Sequence, residues 1–183
     1  LPALRRKIPV EIRTTRLPDV QASRPRLVIE TNAKGDSLLV KPVLVYGDPP
    51  TARVERGELT VTGTVVPIRD RKAEERLVRE AGDKIGLPVG LERTYTGANA
   101  VQFVEQARSA GTVLLGEGWK VFRRAEAVTP EVRIDGERMH LDLGGADARA
   151  VISAWRAGDN MVRVKEGWAP LPTDWLSRFG HLV

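Results

Sequence analysis

The chain contains no cysteine, which excludes disulfides, thiolate zinc sites and cysteine nucleophiles. That absence accords with a reducing compartment, and a cytoplasmic chain is expected. Histidine is scarce as well. His140 and His181 are the only two, without the spacing of a metal-binding helix or a facial triad, so no metal site is expected. No Gly-Lys pair occurs, so the phosphate-cradling loop of a P-loop nucleotidase is missing. The serines sit in no nucleophile-elbow pattern. No apolar run approaches the roughly twenty residues that span a bilayer, and no membrane partner is expected. Aromatic residues make up 5% of the chain, few for a surface that grips single strands by stacking.

What is present begins with charge. Residues 1–26 hold seven basic side chains (Arg5, Arg6, Lys7, Arg13, Arg16, Arg24 and Arg26) against Glu11 and Asp19, and that excess equals the whole formal charge of +5. The remainder is neutral overall. Pro2, Pro9, Pro18 and Pro25 break this arm into short extended pieces, of which residues 8–13 can form an edge strand. Such an arm can track phosphates through counterion release, or it can be a solvated linker. The chain begins at Leu1 and passes at once into patterned sequence; we read it as part of a longer polypeptide.

Length suffices for one large domain or two small ones with their own apolar core. Val, Leu and Ile fill residues 26–31 and 37–46 around a turn cluster at 32–36, which predicts a β-hairpin. Residues 52–56 and 58–63 predict a second, turning near Gly57, and 65–69 one more strand. An antiparallel meander of four or five strands needs no crossover. Asp70 then caps a helix with Ala73, Leu77, Ala81 and Ile85 on one face and Val78 beside them, its opposite face laced with charge. A short strand at 91–95 precedes a helix from about Ala98, with Ala100, Val101, Phe103, Val104 and Ala107 inward. Residues 114–115 and 119–123 read as strands.

After Pro130 the pattern changes. Residues 131–134 and 138–143 around Asp135-Gly136 form the cleanest hairpin signal. Ala148, Val151, Ile152 and Trp155 make one helical stripe. Met161 to Val164 and the return from Trp168 predict a hairpin turned by Lys165-Glu166-Gly167, and Trp175, Leu176 and Phe179 give a last helix its apolar side. The expected class is α+β, an antiparallel meander and hairpins with about four short helices. Its organisation is a basic arm over 1–25, an α+β unit over 26–129, and a hairpin-helix-hairpin-helix unit over 130–183.

Three of the four tryptophans, Trp155, Trp168 and Trp175, fall in the last unit among Arg156, Arg163 and Lys165. They can serve as stacking platforms beside phosphate contacts; as large aromatics in a small unit they are read first as core. Glu74 and Glu75 at a helix start complement its dipole and are read as structural rather than as an acid and base pair.

In order along the chain stand Arg24-Pro25-Arg26-Leu27-Val28-Ile29, then Leu39 to Gly47 ending in Tyr46-Gly47, then Arg69-Asp70 with Ala73-Glu74, Leu77 and Val78. Ala100 to Val104 with Trp119 to Phe122 follow, and Val162-Arg163-Val164-Lys165-Glu166-Gly167-Trp168-Ala169-Pro170-Leu171-Pro172 closes the series. This order resembles the accessory region N-terminal to the motor of bacterial SWI2/SNF2-type helicases, the SNF2 helicase-associated domain. The family commonly places Ser or another aromatic where Trp168 stands, and its upstream zinc-binding elements have no counterpart here. The resemblance implies a non-catalytic accessory or regulatory region of a Snf2-family DNA-dependent ATPase, with ATP and Mg confined to a motor outside this sequence and no cofactor of its own. It implies the motor in cis and double-stranded DNA as partners. On the residues, the nucleic-acid contacts are Arg5, Arg6, Lys7, Arg13, Arg16, Arg24 and Arg26 of the arm, with Arg163 and Lys165 on the last hairpin. The alternative is a protein-protein interaction module without DNA contact.

Overall fold

A computed structural model describes residues 19–136 and 138–179. The predicted first hairpin is there at full length: β2 (Pro25–Lys34) and β3 (Ser37–Tyr46) pair antiparallel from Pro25↔Tyr46 to Lys34↔Ser37. β4 (Ala52–Glu55) and β5 (Glu58–Val61) continue the meander, also antiparallel. The class is α+β, with four α-helices and twelve strands among the described residues.

The meander stops at β5. Thr62 and Gly63 both donate their N–H to the Thr51 carbonyl, at 2.8 and 2.9 Å, and this turns the chain off the sheet. The expected fifth strand, β6 (Val65–Ile68), therefore pairs in parallel with β1 (Asp19–Ala22) as a separate ribbon.

Asp70 caps α1 (Arg71–Ile85), its Oδ1 accepting from the Ala73 N–H at 3.0 Å, and Gly86 closes it in the left-handed region. The buried stripe is Glu74, Ala81 and Ile85 with Leu77 half-buried, whereas Val78, expected at its side, is exposed. Of the helix-face ion pairs, Glu80 takes Lys84 at 3.4 Å and Arg76 at 3.8 Å.

β7 (Arg93–Thr96) returns along the first half of β3, so β3 carries β7 and β4 end to end on one edge. α2 (Gly97–Ser109) buries Ala100, Val101, Phe103, Val104 and Ala107, as its pattern requires. β8 (Val113–Leu115) then pairs in parallel with β2, a crossover that local patterning did not contain. Residues 119–123, read as a strand, are instead entered through a 3-10 turn at Gly118–Val121. Backbone proximity is the reason. A Cβ on Gly116 would stand 2.6 Å from the Thr31 carbonyl oxygen and one on Gly118 2.7 Å from the backbone of Asn32, so the chain bends tightly over the end of β2. That bend drops Phe122, fully buried, into a core of Ile29, Leu38, Val40, Ile85, Phe103 and Trp168.

β9 (Glu131–Asp135) and β10 (Arg138–Asp142) form a two-stranded hairpin. Asp147 caps α3 (Ala148–Arg156), its Oδ1 accepting from the Arg149 N–H at 2.8 Å. β11 (Met161–Val164) pairs with β12 (Gly167–Pro170), and α4 (Thr173–Phe179) follows. Val164 faces Gly167 in register, so the turn has two residues and Gly167 belongs to the strand. Its glycine serves a second purpose: a Cβ there would collide with the Arg123 carbonyl oxygen. Val151, Ile152, Val162, Ala169, Leu171 and Leu176 make a second core. Phe179, predicted inward, is 43% exposed and lies against Trp175 at 5.6 Å between ring centres. Among the described residues no helix is long and apolar enough to cross a membrane.

Candidate nucleic-acid interface

Of the arm's predicted contacts, Arg5, Arg6, Lys7, Arg13 and Arg16 lie outside the described residues. Arg26 is half-buried and occupied. Its Nη2 donates to the Gly47 carbonyl at 2.7 Å and its Nη1 meets Asp48 Oδ2 at 3.1 Å, so it holds the loop after β3. Arg163 is likewise engaged, its Nη1 2.8 Å from Asp36 Oδ1 in the β2–β3 turn. Both ion pairs are at the surface, where such pairs exchange readily with solvent and other anions. Lys165 is exposed at the β11–β12 turn. Arg123 and Arg124, also exposed, come near it: Arg123 Nε donates to the Glu166 carbonyl, and Arg124 bridges to Trp168. Trp168 itself is buried and stacks on Phe122 at 6.1 Å.

Arg24 stands differently. It is exposed, just before β2, and lines two adjoining clefts of about 610 and 480 Å³. The first is lined by Ala22, Ser23, Arg24 and Ile68 to Lys72; the second shares Arg24, Asp70 and Lys72 and adds Pro25, Ala73 and Arg76. β1 leads the arm to this place, and its partner β6 delivers the chain to the start of α1. The root of the basic arm and the basic first turns of α1 are thus neighbours.

A buried network fixes that helix start. Glu74, 5% exposed, receives Arg69 through Nε (2.8 Å to Oε1) and Nη2 (2.8 Å to Oε2), a two-point grip. It also accepts from Tyr46 Oη at 2.7 Å, while Tyr46 Oη accepts the Asp70 N–H at 2.9 Å. Tyr46 is fully buried at the end of β3, so the sheet and the helix are joined at this point. Burial pushes the Glu74 carboxyl up, but the hydrogen bonds from Arg69 and Tyr46 and the charges of Arg69 and Arg71 outweigh it and hold the group below the ordinary carboxylate range. Burial, reinforced by the Glu74 hydrogen bond, pushes Tyr46 up to about 12. Glu74 consumes the charge of Arg69, which leaves Arg24, Arg71, Lys72 and Arg76 as the outward cations of the clefts.

Sequence reading described the charge of this helix only as a face laced with i, i+4 pairs such as Arg71 with Glu75, singled out neither Lys72 nor Arg76, and did not connect the helix to the arm. The Arg69-Asp70-Arg71-Lys72 run was the available signal. Among the described residues no group of three or more His, Asp or Glu side chains is gathered to hold a metal ion. No protein-family model, curated protein or solved structure matches this chain.

Proposed function

We propose that this chain is a non-catalytic accessory region that contacts DNA, working in the cytoplasm in cis with a Snf2-family DNA-dependent ATPase. The observation that carries the DNA contact is the adjacency of the arm's root to Arg24, Arg71, Lys72 and Arg76, which extends the one strongly positive segment of the chain onto its folded body. The motor belongs to this reading through the ordered motifs from Arg24 to Pro172. Phosphate contacts release condensed counterions, so affinity for duplex DNA is expected to fall steeply with added salt. Anisotropy of a labelled duplex titrated with the chain at rising salt measures this. Absence of binding at low ionic strength removes the reading.

A second reading, docking on the motor or another protein, has its own support in the β9–β10 hairpin. Val132 is opposite Leu141 on one side of it, and Val132 is 47% exposed. In that case adding the chain to an isolated motor changes the ATPase rate without DNA contact by the chain, and an unchanged rate with no complex on gel filtration argues against it.

A further inference from the structure

We infer that the paired clefts between the arm's root and the first turns of α1 form a phosphodiester-backbone site for duplex nucleic acid, one that reads no sequence. This rests on the DNA-contacting reading above and names the ligand chemistry of one part of that surface. Among the described residues five basic side chains and a single exposed carboxylate line the two clefts, Arg24, Arg69, Arg71, Lys72 and Arg76 against Asp70, although residues 27–183 as a whole carry no net charge. Arg69 is neutralised by Glu74, and Asp70 already accepts from the Ala73 N–H. The helix terminus is therefore capped by its own side chain, and the attraction comes from the four outward cations. Arg71 and Lys72 are exposed, and among the described residues Arg76 pairs with Glu80 alone, at 3.8 Å.

The lining also says what such a ligand would present. Among the described residues no aromatic ring borders either cleft, so they offer no platform for an unstacked base. Nor does any described Asn or Gln border them, which leaves out the paired hydrogen bonds that recognise adenine. Phosphate oxygens remain as the complementary groups. A duplex offers them at about one charge per 1.7 Å of axis, more densely than a single strand, and two clefts sharing Arg24 and Lys72 suit neighbouring phosphates. The Tyr46–Glu74–Arg69 network makes the site rigid, since it ties the helix start to the end of β3.

The test uses the whole chain and short labelled duplexes of two unrelated sequences, with salt titrations of unmodified protein, Arg71→Gln/Lys72→Gln, and Arg5→Gln/Arg6→Gln/Lys7→Gln. Circular dichroism confirms that the variants keep their helix, and Arg76→Gln is the substitute where one does not. Loss of two phosphate contacts should flatten the slope of log affinity against log salt by about two, and charge reversal by Arg71→Glu/Lys72→Glu should weaken low-salt binding about tenfold or more. Both duplexes should bind alike, and better than a single strand of equal length. An unchanged slope in Arg71→Gln/Lys72→Gln, with a flattened one in the arm variant, overturns this site while leaving the DNA-contacting reading intact. Preference for a single strand or for one sequence overturns the backbone assignment. Inorganic polyphosphate competing as well as duplex, phosphate for phosphate, overturns the nucleic-acid assignment. No binding by the unmodified chain defeats both readings.

Discussion

Two hairpins of similar length, β9–β10 and β11–β12, stand within thirty residues of each other in the chain and meet opposite fates. In β9–β10 one side alternates apolar residues such as Val132 and Leu141, while the other carries Glu131, Arg133, His140 and Asp142. It pairs only with itself in a two-stranded sheet, and most of its described residues are exposed. In β11–β12 both sides carry apolar residues, with Arg163 the charged exception beside Trp168. Trp168 and Met161 belong to the first core, and Val162, Val164 and Ala169 to the second. The free edge of β12 is used too: Trp168 donates to Arg123 at 2.9 Å, Ala125 to Trp168 at 2.8 Å, and Val128 to Pro170 at 3.2 Å. A ribbon with one apolar side can lie on a surface; one with two is drawn between two cores and joins them.

The comparison breaks most visibly at Trp168. Trp168→Ala should cost about 3–5 kcal/mol, because the cavity opens where the two cores meet and strands Phe122 without its stacking partner. Urea unfolding should then show a lower midpoint, and a single transition resolving into two would mean that β12 had been the link between units.

Tyr46→Phe sharpens the contrast between a buried polar junction and an apolar one. It leaves the Asp70 N–H without its partner and removes one of the two hydrogen bonds to Glu74 Oε1, which keeps Arg69 Nε, at a cost of about 1–3 kcal/mol near neutral pH. The pH dependence has two arms. Glu74 has a lowered value in the folded chain, so its contribution is present above the ordinary carboxylate range and disappears as pH falls through the lowered value. Tyr46 is raised to about 12, so its contribution is complete below pH 10 and disappears as pH rises from there through 12. Urea midpoints across pH should lose their alkaline decline in Tyr46→Phe; a decline of unchanged size would assign it elsewhere.

The smallest effect belongs to the exposed hairpin. Val132→Ser should change stability by no more than about 0.5 kcal/mol, since the side chain is nearly half exposed and is not among those packed against the second core. A larger loss in the same urea assay would show that Val132, like Leu141 on β10, supports the second core.

Much of this was readable from residue order. Periodicity located the β2–β3 hairpin, both long helices and the buried face of α2, since 3.6- and 2-residue repeats are local properties. It also put Asp70 at a cap, and it treated Glu74 as structural. It did not see that Glu74 would be buried, because the groups that make burial tolerable, Arg69 and Tyr46, come from a loop and from a strand 28 residues earlier. It misread Trp119 to Phe122 as a strand because Gly116 and Gly118 act through a close approach to β2 that no local pattern records. Arg26 and Arg163 looked like free cations for the same reason: Asp48 and Asp36 are distant in sequence.

The sequence by itself determined the class of the fold, the position of most elements, the absence of cysteine chemistry and the concentration of positive charge on the arm. Tertiary structure decided which charges remain available. Folding satisfies Arg26, Arg69 and Arg163 with partners brought from other segments, and it sets Arg71, Lys72 and Arg76 beside Arg24 because β1 and β6 pair in parallel and so end together, Ala22 against Ile68, next to the start of α1. Net charge is a sum over composition, whereas a surface able to hold phosphates depends on which cations stay unpaired and adjacent, and only the packed chain sets that.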